Sequence, residues 1–123
     1  MRTVRVSLPF PPSVNTMFPT RGNKRVPSPA YRAWRDEAAW RIKHQATRAF
    51  SGAVNVRIDL VAPDRRRRDC DNYAKGCLDA LVKNGVIDDD SAIRRLSIGW
   101  EDSGEPCTIT ITACNPTTTE TPV

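Results

Sequence analysis

Four segments of the chain alternate apolar and polar residues with a period of two, which is typical of strands that bury one face. They cover residues 4–8, 54–60, 96–100 and 107–113. The second alternates most regularly, so we expect it at or beside the centre of a sheet. The last two are separated by a turn-like segment at 102–106, which predicts a β-hairpin with a moderately long loop.

Two further segments repeat apolar residues with the helical period. Ser28 and Pro29 suit an N-cap and a first helical position, and the pattern after them predicts a helix to about Phe50. A second helix is predicted from Asn72, with a C-terminal stop at Asn84 and Gly85. The apolar positions are Tyr31, Trp34, Ala38, Ile42 and Ala49 in the first helix, and Ala74, Cys77, Leu78, Leu81 and Val82 in the second.

The order of these elements is β-α-β-α-β-β. It predicts an α/β (α+β) fold, a single domain over residues 1–114 in which a small mixed sheet packs on two helices. Residues 13–27 have no apolar period and several basic side chains, and they predict a basic loop. Residues 115–123 are rich in Thr and Pro and predict a flexible C-terminal tail.

The composition excludes some classes of protein. The 123 residues are 39% hydrophobic and 27% charged, and no segment approaches the ~20 apolar residues that cross a bilayer. The N-terminus lacks the apolar run of a secretory signal, so we expect a cytoplasmic protein. The four cysteines lack close C-x-x-C pairs and are expected to be free thiols; a zinc-stabilised regulatory domain is the alternative.

The charge is unevenly distributed. The formal net charge is +5, which favours a polyanionic partner. Residues 1–50 carry 10 Lys or Arg and 2 acidic residues, whereas residues 51–123 carry 9 and 12. The chain therefore combines a basic half with clustered carboxylates.

The carboxylates concentrate on both sides of the second predicted helix. Asp69 and Asp71 precede it, and in extended geometry their side chains point the same way, as a functional pair would. The alternative interpretation is that Asp71 only caps the helix. A second acidic run at 88–90 follows the helix. If the fold brings the two groups together, like-charge repulsion is relieved by a hard divalent cation, most naturally Mg²⁺, which promotes phosphodiester hydrolysis.

Basic residues accompany these acids. Lys75 lies four residues after Asp71, where it stabilises charge developing on a phosphate or forms an ordinary ion pair along the helix. The run Arg65-Arg66-Arg67-Arg68 directs two guanidinium groups to each side of an extended segment. They contact phosphates or remain in solvent, and the adjacent acids favour phosphate contacts.

These residues together resemble the RusA family of Holliday-junction resolvases, over residues 7 to about 112. The resemblance is carried by P-P-S at 11–13, Asn15, P-D-R-R-R-R-D-C-D-N at 63–72, Lys75, D-A-L at 79–81, Gly85 and D-D at 89–90. It implies a homodimeric, Mg²⁺-dependent endonuclease, with Mn²⁺ as a substitute and no small-molecule cofactor. Such enzymes cut four-way or branched DNA by paired symmetric incisions in recombination and repair, and many are encoded by prophages.

The resemblance also assigns roles to residues. Asp69, Asp71 and Asp90 become metal-binding catalytic acids, and Lys75 becomes an essential basic residue. The family usually has apolar residues where Cys70 and Asp88 stand, which leaves open which of Asp88, Asp89 and Asp90 binds metal; the spacing from Gly85 and Ile93 favours Asp90. A branched-DNA-binding module without catalysis is the alternative. The expected DNA contacts are Asn15, Lys24, Arg25, Arg65, Arg66, Arg67 and Arg68.

Overall fold

The computed structural model describes residues 3–22, 24–114 and 118–122. Its strands are β1 (Thr3–Leu8), β2 (Thr20–Arg21), β3 (Lys24–Arg25), β4 (Arg48–Ser51), β5 (Val54–Val61), β6 (Ile93–Glu101), β7 (Cys107–Ala113) and β8 (Thr119–Pro122). Its helices are α1 (Val14–Met17), α2 (Pro29–Gln45) and α3 (Ala74–Lys83), with 3-10 helices at Cys70–Tyr73 and Asp90–Ala92. Within these ranges, no helix is long and apolar enough to cross a membrane.

A mixed four-stranded sheet carries the core, in the order β1-β7-β5-β6. β5 pairs parallel with β6 and antiparallel with β7. Its Val54, Val56, Ile58 and Leu60 are buried on one face, and the residues between them lie on the other. The mixed α+β fold and the inner position of this strand are confirmed.

The predicted hairpin of β6 and β7 is wrong. β5 lies between these two strands, so they flank it and do not pair. The loop at 102–106 crosses the end of β5, where the Val61 N–H donates to the Pro106 carbonyl at 3.0 Å. Alternation identified both strands, but a short connection does not identify a strand's partner when another strand occupies the gap.

α2 begins as predicted and ends earlier than predicted. The Tyr31 N–H donates to Ser28 Oγ at 3.1 Å, which caps the helix. The helix ends at Gln45 instead of near Phe50, because Ala46 turns extended and Arg48–Ser51 forms β4. Phe50 still enters the core, and its N–H donates to the Val86 carbonyl at 2.8 Å.

Replacing Ser28 by alanine is expected to lower the free energy of unfolding by about 1 kcal/mol, because the cap of α2 is lost. Chemical denaturation measures this difference. Ser103→Ala in the exposed loop after β6 is the control and should leave stability unchanged. Equal stability of both variants would show that the Ser28 cap is unimportant.

Two segments predicted to lack regular structure contain short elements. Within residues 13–27, the structure has α1 and the pair β2–β3 in place of a plain basic loop. In the predicted flexible tail, Thr119–Pro122 pairs antiparallel with β4 as β8. Short or Thr-rich elements such as these have too few apolar positions to show a period. Residues 115–117 and 123 of that tail lie outside the described residues.

The crossover from β5 through α3 to β6 sets the positions of the charged residues. β5 and β6 run parallel, so α3 returns the chain from the end of β5 to the start of β6. Segment 62–73 therefore lies at the edge of the sheet where both strands end. Segment 84–92 lies at the opposite edge, where both strands begin. We call these the strand-end edge and the strand-start edge.

Candidate active site

The pair Asp69 and Asp71 lies at the strand-end edge. Asp69 precedes the 3-10 helix Cys70–Tyr73, and Asp71 lies in its first turn. The buried Tyr73 side chain anchors this helix, and Cys70 Sγ lies 3.7 Å from the Ile98 carbonyl oxygen on β6. Both aspartates are exposed, so the local fold presents two carboxylates to solvent next to β6.

Lys75 pairs with Asp79 one turn further along α3, not with Asp71. Its Nζ lies 3.3 Å from Asp79 Oδ2, and both side chains are about half exposed. The ion pair along the helix is therefore present, with a different acid from the one that the sequence suggested. It holds the ammonium group towards Asp79, along one face of the helix.

The acids at 88–90 lie at the strand-start edge and differ in their hydrogen bonds. Asp88 Oδ2 accepts from the Gly52 N–H at 3.3 Å. Asp89 Oδ2 accepts from the Ser91 N–H at 3.0 Å, and hydrogen bonding from Ser91 lowers the pKa of Asp89. Asp90 begins the 3-10 helix and is exposed. Asp88 and Asp89 thus stabilise local turns of the main chain.

One protomer does not bring the two groups of acids together. Asp71 precedes α3 and Asp90 follows it, and ten helical residues span about 15 Å. Cys70 contacts Ile98, whereas Asp90 precedes Ile93 at the start of the same strand, and five strand residues again span about 16 Å. In the part of the chain that the structure describes, no three His, Cys, Asp or Glu side chains could hold a metal ion. The sequence left open whether the two groups of acids meet, and within one protomer they remain apart.

A cleft extends from Asp79 to Asp90. It has a volume of about 470 Å³ and lies between α2, α3 and the segment before β6. Tyr31 lines it and has a raised pKa, mainly because of burial and then because of the Asp79 charge. Its charged lining residues are Arg35, Asp36, Asp79, Lys83, Asp89 and Asp90.

The four consecutive arginines do not have equivalent environments. The Arg68 side chain is only 7% exposed, and its two Nη atoms bind the two Asp64 oxygens at 2.7 and 3.0 Å. Its guanidinium also lies 5.8 Å from the centre of the Phe10 ring. Arg65, Arg66 and Arg67 are exposed. Three of the four arginines are thus exposed to solvent, whereas Arg68 holds the loop through Asp64.

The Asp64 carboxylate accepts the hydrogen bonds that hold this loop, and its ionisation allows these contacts to be tested by changing the pH. It accepts from Arg68 and from the Arg66 N–H, and these hydrogen bonds lower the pKa of Asp64 to about 2. Because its pKa is lower in the folded than in the unfolded state, its contribution to stability is present above about pH 4. That contribution should disappear as the pH falls towards 2.

Carboxyl ¹³C NMR should therefore show Asp64 titrating near pH 2, well below the ordinary aspartate value near 4. In Arg68→Gln, the Asp64 titration should move up towards the ordinary range near 4. Arg67→Gln is the control and should leave the titration unchanged. An unchanged Asp64 curve in Arg68→Gln would show that Arg68 does not hold this carboxylate.

The remaining expected DNA contacts lie on α1 and β3. Asn15 is an exposed residue of α1, and Lys24 and Arg25 are exposed on β3. α1 packs against α2 and α3. A side chain added at Gly76, the residue after Lys75, would contact Met17 and Pro12. The motif at 11–15 thus packs beside the first turn of α3.

Comparison with known proteins identifies the family. The family model described as Endodeoxyribonuclease RusA matches residues 9–112. The chain belongs to the RusA family. Crossover junction endodeoxyribonuclease RusA of Escherichia coli strain K12 is 37% identical over 94 residues, which are 76% of this chain and 78% of the relative. The protein of that name from Enterobacteria phage 82 has the same identity and coverage. That of phage HK97 is 36% identical over 92 residues, covering 73% and 76%.

The RusA match classifies the protein as a nuclease and spans every structural feature of the candidate site. It begins next to Phe10 and ends within β7, so it includes both edges of the sheet. Sequence patterns gave no signal for the aromatic contacts of Phe10. For the Asp64–Arg68 and Lys75–Asp79 pairs, the four-residue spacing of opposite charges was the available indication.

Proposed function

We propose that the protein is a Mg²⁺-dependent endonuclease that resolves four-way DNA junctions by paired symmetric phosphodiester hydrolysis, in recombination and repair in the cytoplasm. The observation that carries this proposal is the exposed pair Asp69 and Asp71, presented at a sheet edge beside three exposed arginines in a RusA-family chain. Carboxylates for a metal and cations for phosphates are the two requirements of metal-assisted DNA hydrolysis.

The donor atoms suit a hard divalent cation. Carboxylate oxygens are the protein ligands that Mg²⁺ prefers, and Mn²⁺ accepts the same donors. Asp69, Asp71 and Asp90 would hold the ion; Asp88 and Asp89 already accept main-chain N–H groups, which supports Asp90 as the third ligand. When bound, the ion activates water and offsets charge on the phosphodiester in the transition state.

A two-fold homodimer would complete this ligand set. Asp69 and Asp71 lie at the strand-end edge and Asp90 at the strand-start edge, so two antiparallel sheets would place the pair of one protomer near Asp90 of the second. β6 is an edge strand of the sheet. It has exposed Arg94 and Arg95 at one end. Exposed Glu101, which also pairs with Arg57, is at the other end and is followed by exposed Asp102. Antiparallel pairing of two β6 strands would set these opposite charges against each other.

The basic residues have separate roles in this proposal. Arg65, Arg66 and Arg67 bind phosphates of the junction, and Arg68 holds their loop through Asp64. Asn15, Lys24 and Arg25 contact DNA around the first turn of α3. Lys75 donates to a phosphoryl oxygen and stabilises the charge that develops there, while Asp79 keeps its ammonium group on the outer face of α3.

Cleavage of a mobile synthetic four-way junction, compared with a linear duplex of matching sequence, tests the proposed function. Wild-type protein should place symmetric nicks in two opposing strands of the junction only, and only with Mg²⁺ or Mn²⁺. Tight junction binding with no cleavage under any metal condition would overturn the enzyme proposal. That result would identify a branched-DNA-binding module.

A further inference from the structure

An aromatic cluster lies at the strand-end edge of the sheet. The Phe10 and Tyr73 ring centres are 5.1 Å apart, and Trp100 lies 6.2 Å from Phe10 and 6.0 Å from Tyr73. The Phe10 and Trp100 rings are nearly parallel, at 12°. Tyr73 is buried, whereas Trp100 is 39% exposed. Trp100 thus extends the cluster to the surface.

The cluster is continuous with the carboxylate pair and the arginine loop. Tyr73 ends the 3-10 helix that contains Asp71. The Arg68 guanidinium packs against the Phe10 ring. The exposed indole of Trp100 is therefore bordered by the segment that presents both acids and by the loop that presents three exposed arginines.

Packing alone does not account for the exposed indole. Trp100 lies opposite Leu60 of β5, on the face of the sheet that carries the core, but at the end of an edge strand. Phe10 and Tyr73 pack against its ring, and 39% of the residue stays exposed. A rigid aromatic face beside exposed guanidinium groups has the chemistry that binds an unstacked nucleobase, because the ring stacks on the base while the cations hold the flanking phosphates.

We propose that Trp100, supported by Phe10 and Tyr73, is a stacking platform for a DNA base that leaves its stack at the branch point. This inference rests on the proposed function, because it needs branched DNA as the substrate. It adds a contact to the base at a site where the arginines contact only phosphates. Because any base has a π-face, the platform favours branched over linear DNA without requiring one sequence.

The second candidate occupant of this surface is another copy of the chain. Pairing of two β6 strands uses main-chain groups along the side of the strand, whereas the indole stands on a face of the sheet. The proposal therefore predicts that Trp100 variants remain dimeric wherever the wild-type protein is dimeric.

The test uses junctions with 2-aminopurine at the branch point, bound in Ca²⁺ so that affinity is measured separately from cleavage in Mg²⁺. The variants are Trp100→Leu, which removes the π-face, and Trp100→Phe, which keeps one. Trp40→Leu is the matched control, because Trp40 is 60% exposed on α2 and stacks on His44. Thermal melting and sedimentation check folding and oligomeric state.

Trp100→Leu should weaken junction binding about tenfold and leave duplex binding unchanged. The fluorescence of 2-aminopurine should fall on binding wild-type protein and Trp100→Phe, and stay high with Trp100→Leu. Trp40→Leu should behave as wild type. Wild-type affinity and quenching with folded Trp100→Leu, or conversion of that variant to a monomer, would overturn the platform. Failure of wild-type protein to bind or cut junctions would instead overturn the proposed function.

Discussion

Asp71→Asn is expected to reduce Mg²⁺-dependent cleavage of a four-way junction by about 10²- to 10³-fold, the loss typical when one group that stabilises transition-state charge is removed. The substitution keeps the shape of the side chain and removes one anionic metal ligand. Single-turnover cleavage rates, measured with enzyme in excess over junction, report this change without a contribution from product release.

Junction affinity should be retained in this variant. The exposed arginines bind phosphates whatever the charge at position 71, and loss of a carboxylate reduces repulsion of DNA. Glu37→Gln is the matched control, because Glu37 is an exposed acid that pairs with Arg41 on α2, and its removal should not affect cleavage. Full cleavage activity in Asp71→Asn would refute the role of this acid and the metal-assisted mechanism built on it.

The strands of the main sheet could be predicted from alternation. β1, β5 and β7 bury their apolar face, whereas β6 alternates in sequence but leaves Leu96 and Trp100 exposed. The helix starts could also be predicted, since Ser28 has its side-chain partner within three residues. Strand partners depend on contacts distant in sequence. No residue pattern in 96–113 indicates that β5 lies between β6 and β7. The short connection between these two strands therefore suggested a hairpin.

The types of residue in the candidate site could be predicted better than their arrangement. Adjacent arginines look equivalent in a sequence, yet Arg68 packs on Phe10, which lies 58 positions earlier in the chain. Likewise, Asp71 and Asp90 flank one helix, and their separation depends on the length and direction of α3 relative to the sheet. Both arrangements depend on how segments distant in sequence pack together, which local patterns do not encode.

The opposite-edge arrangement leads to a complementation test with a large expected effect. Asp71→Asn and Asp90→Asn should each be inactive as homodimers. Suppose that each active site combines the acid pair of one protomer with Asp90 of the other. A mixed dimer of the two variants then has one site that carries both substitutions and a second site that carries none. Differently tagged chains, co-expressed and purified through both tags, should therefore nick one strand of the junction at close to the wild-type rate per site.

A second mixed dimer is the control that distinguishes recovered nicking from subunit exchange or contamination. A mixed dimer of Asp69→Asn and Asp71→Asn has one substitution in each acid pair, so neither site is intact and no activity should return. If instead each site were built within one chain, both mixed dimers would be inactive, because every protomer carries a substitution. Recovery only in the Asp71→Asn and Asp90→Asn mixture is thus the outcome that requires ligands from two protomers. Such recovery would explain why the two groups of acids lie about 15 Å apart in a single chain.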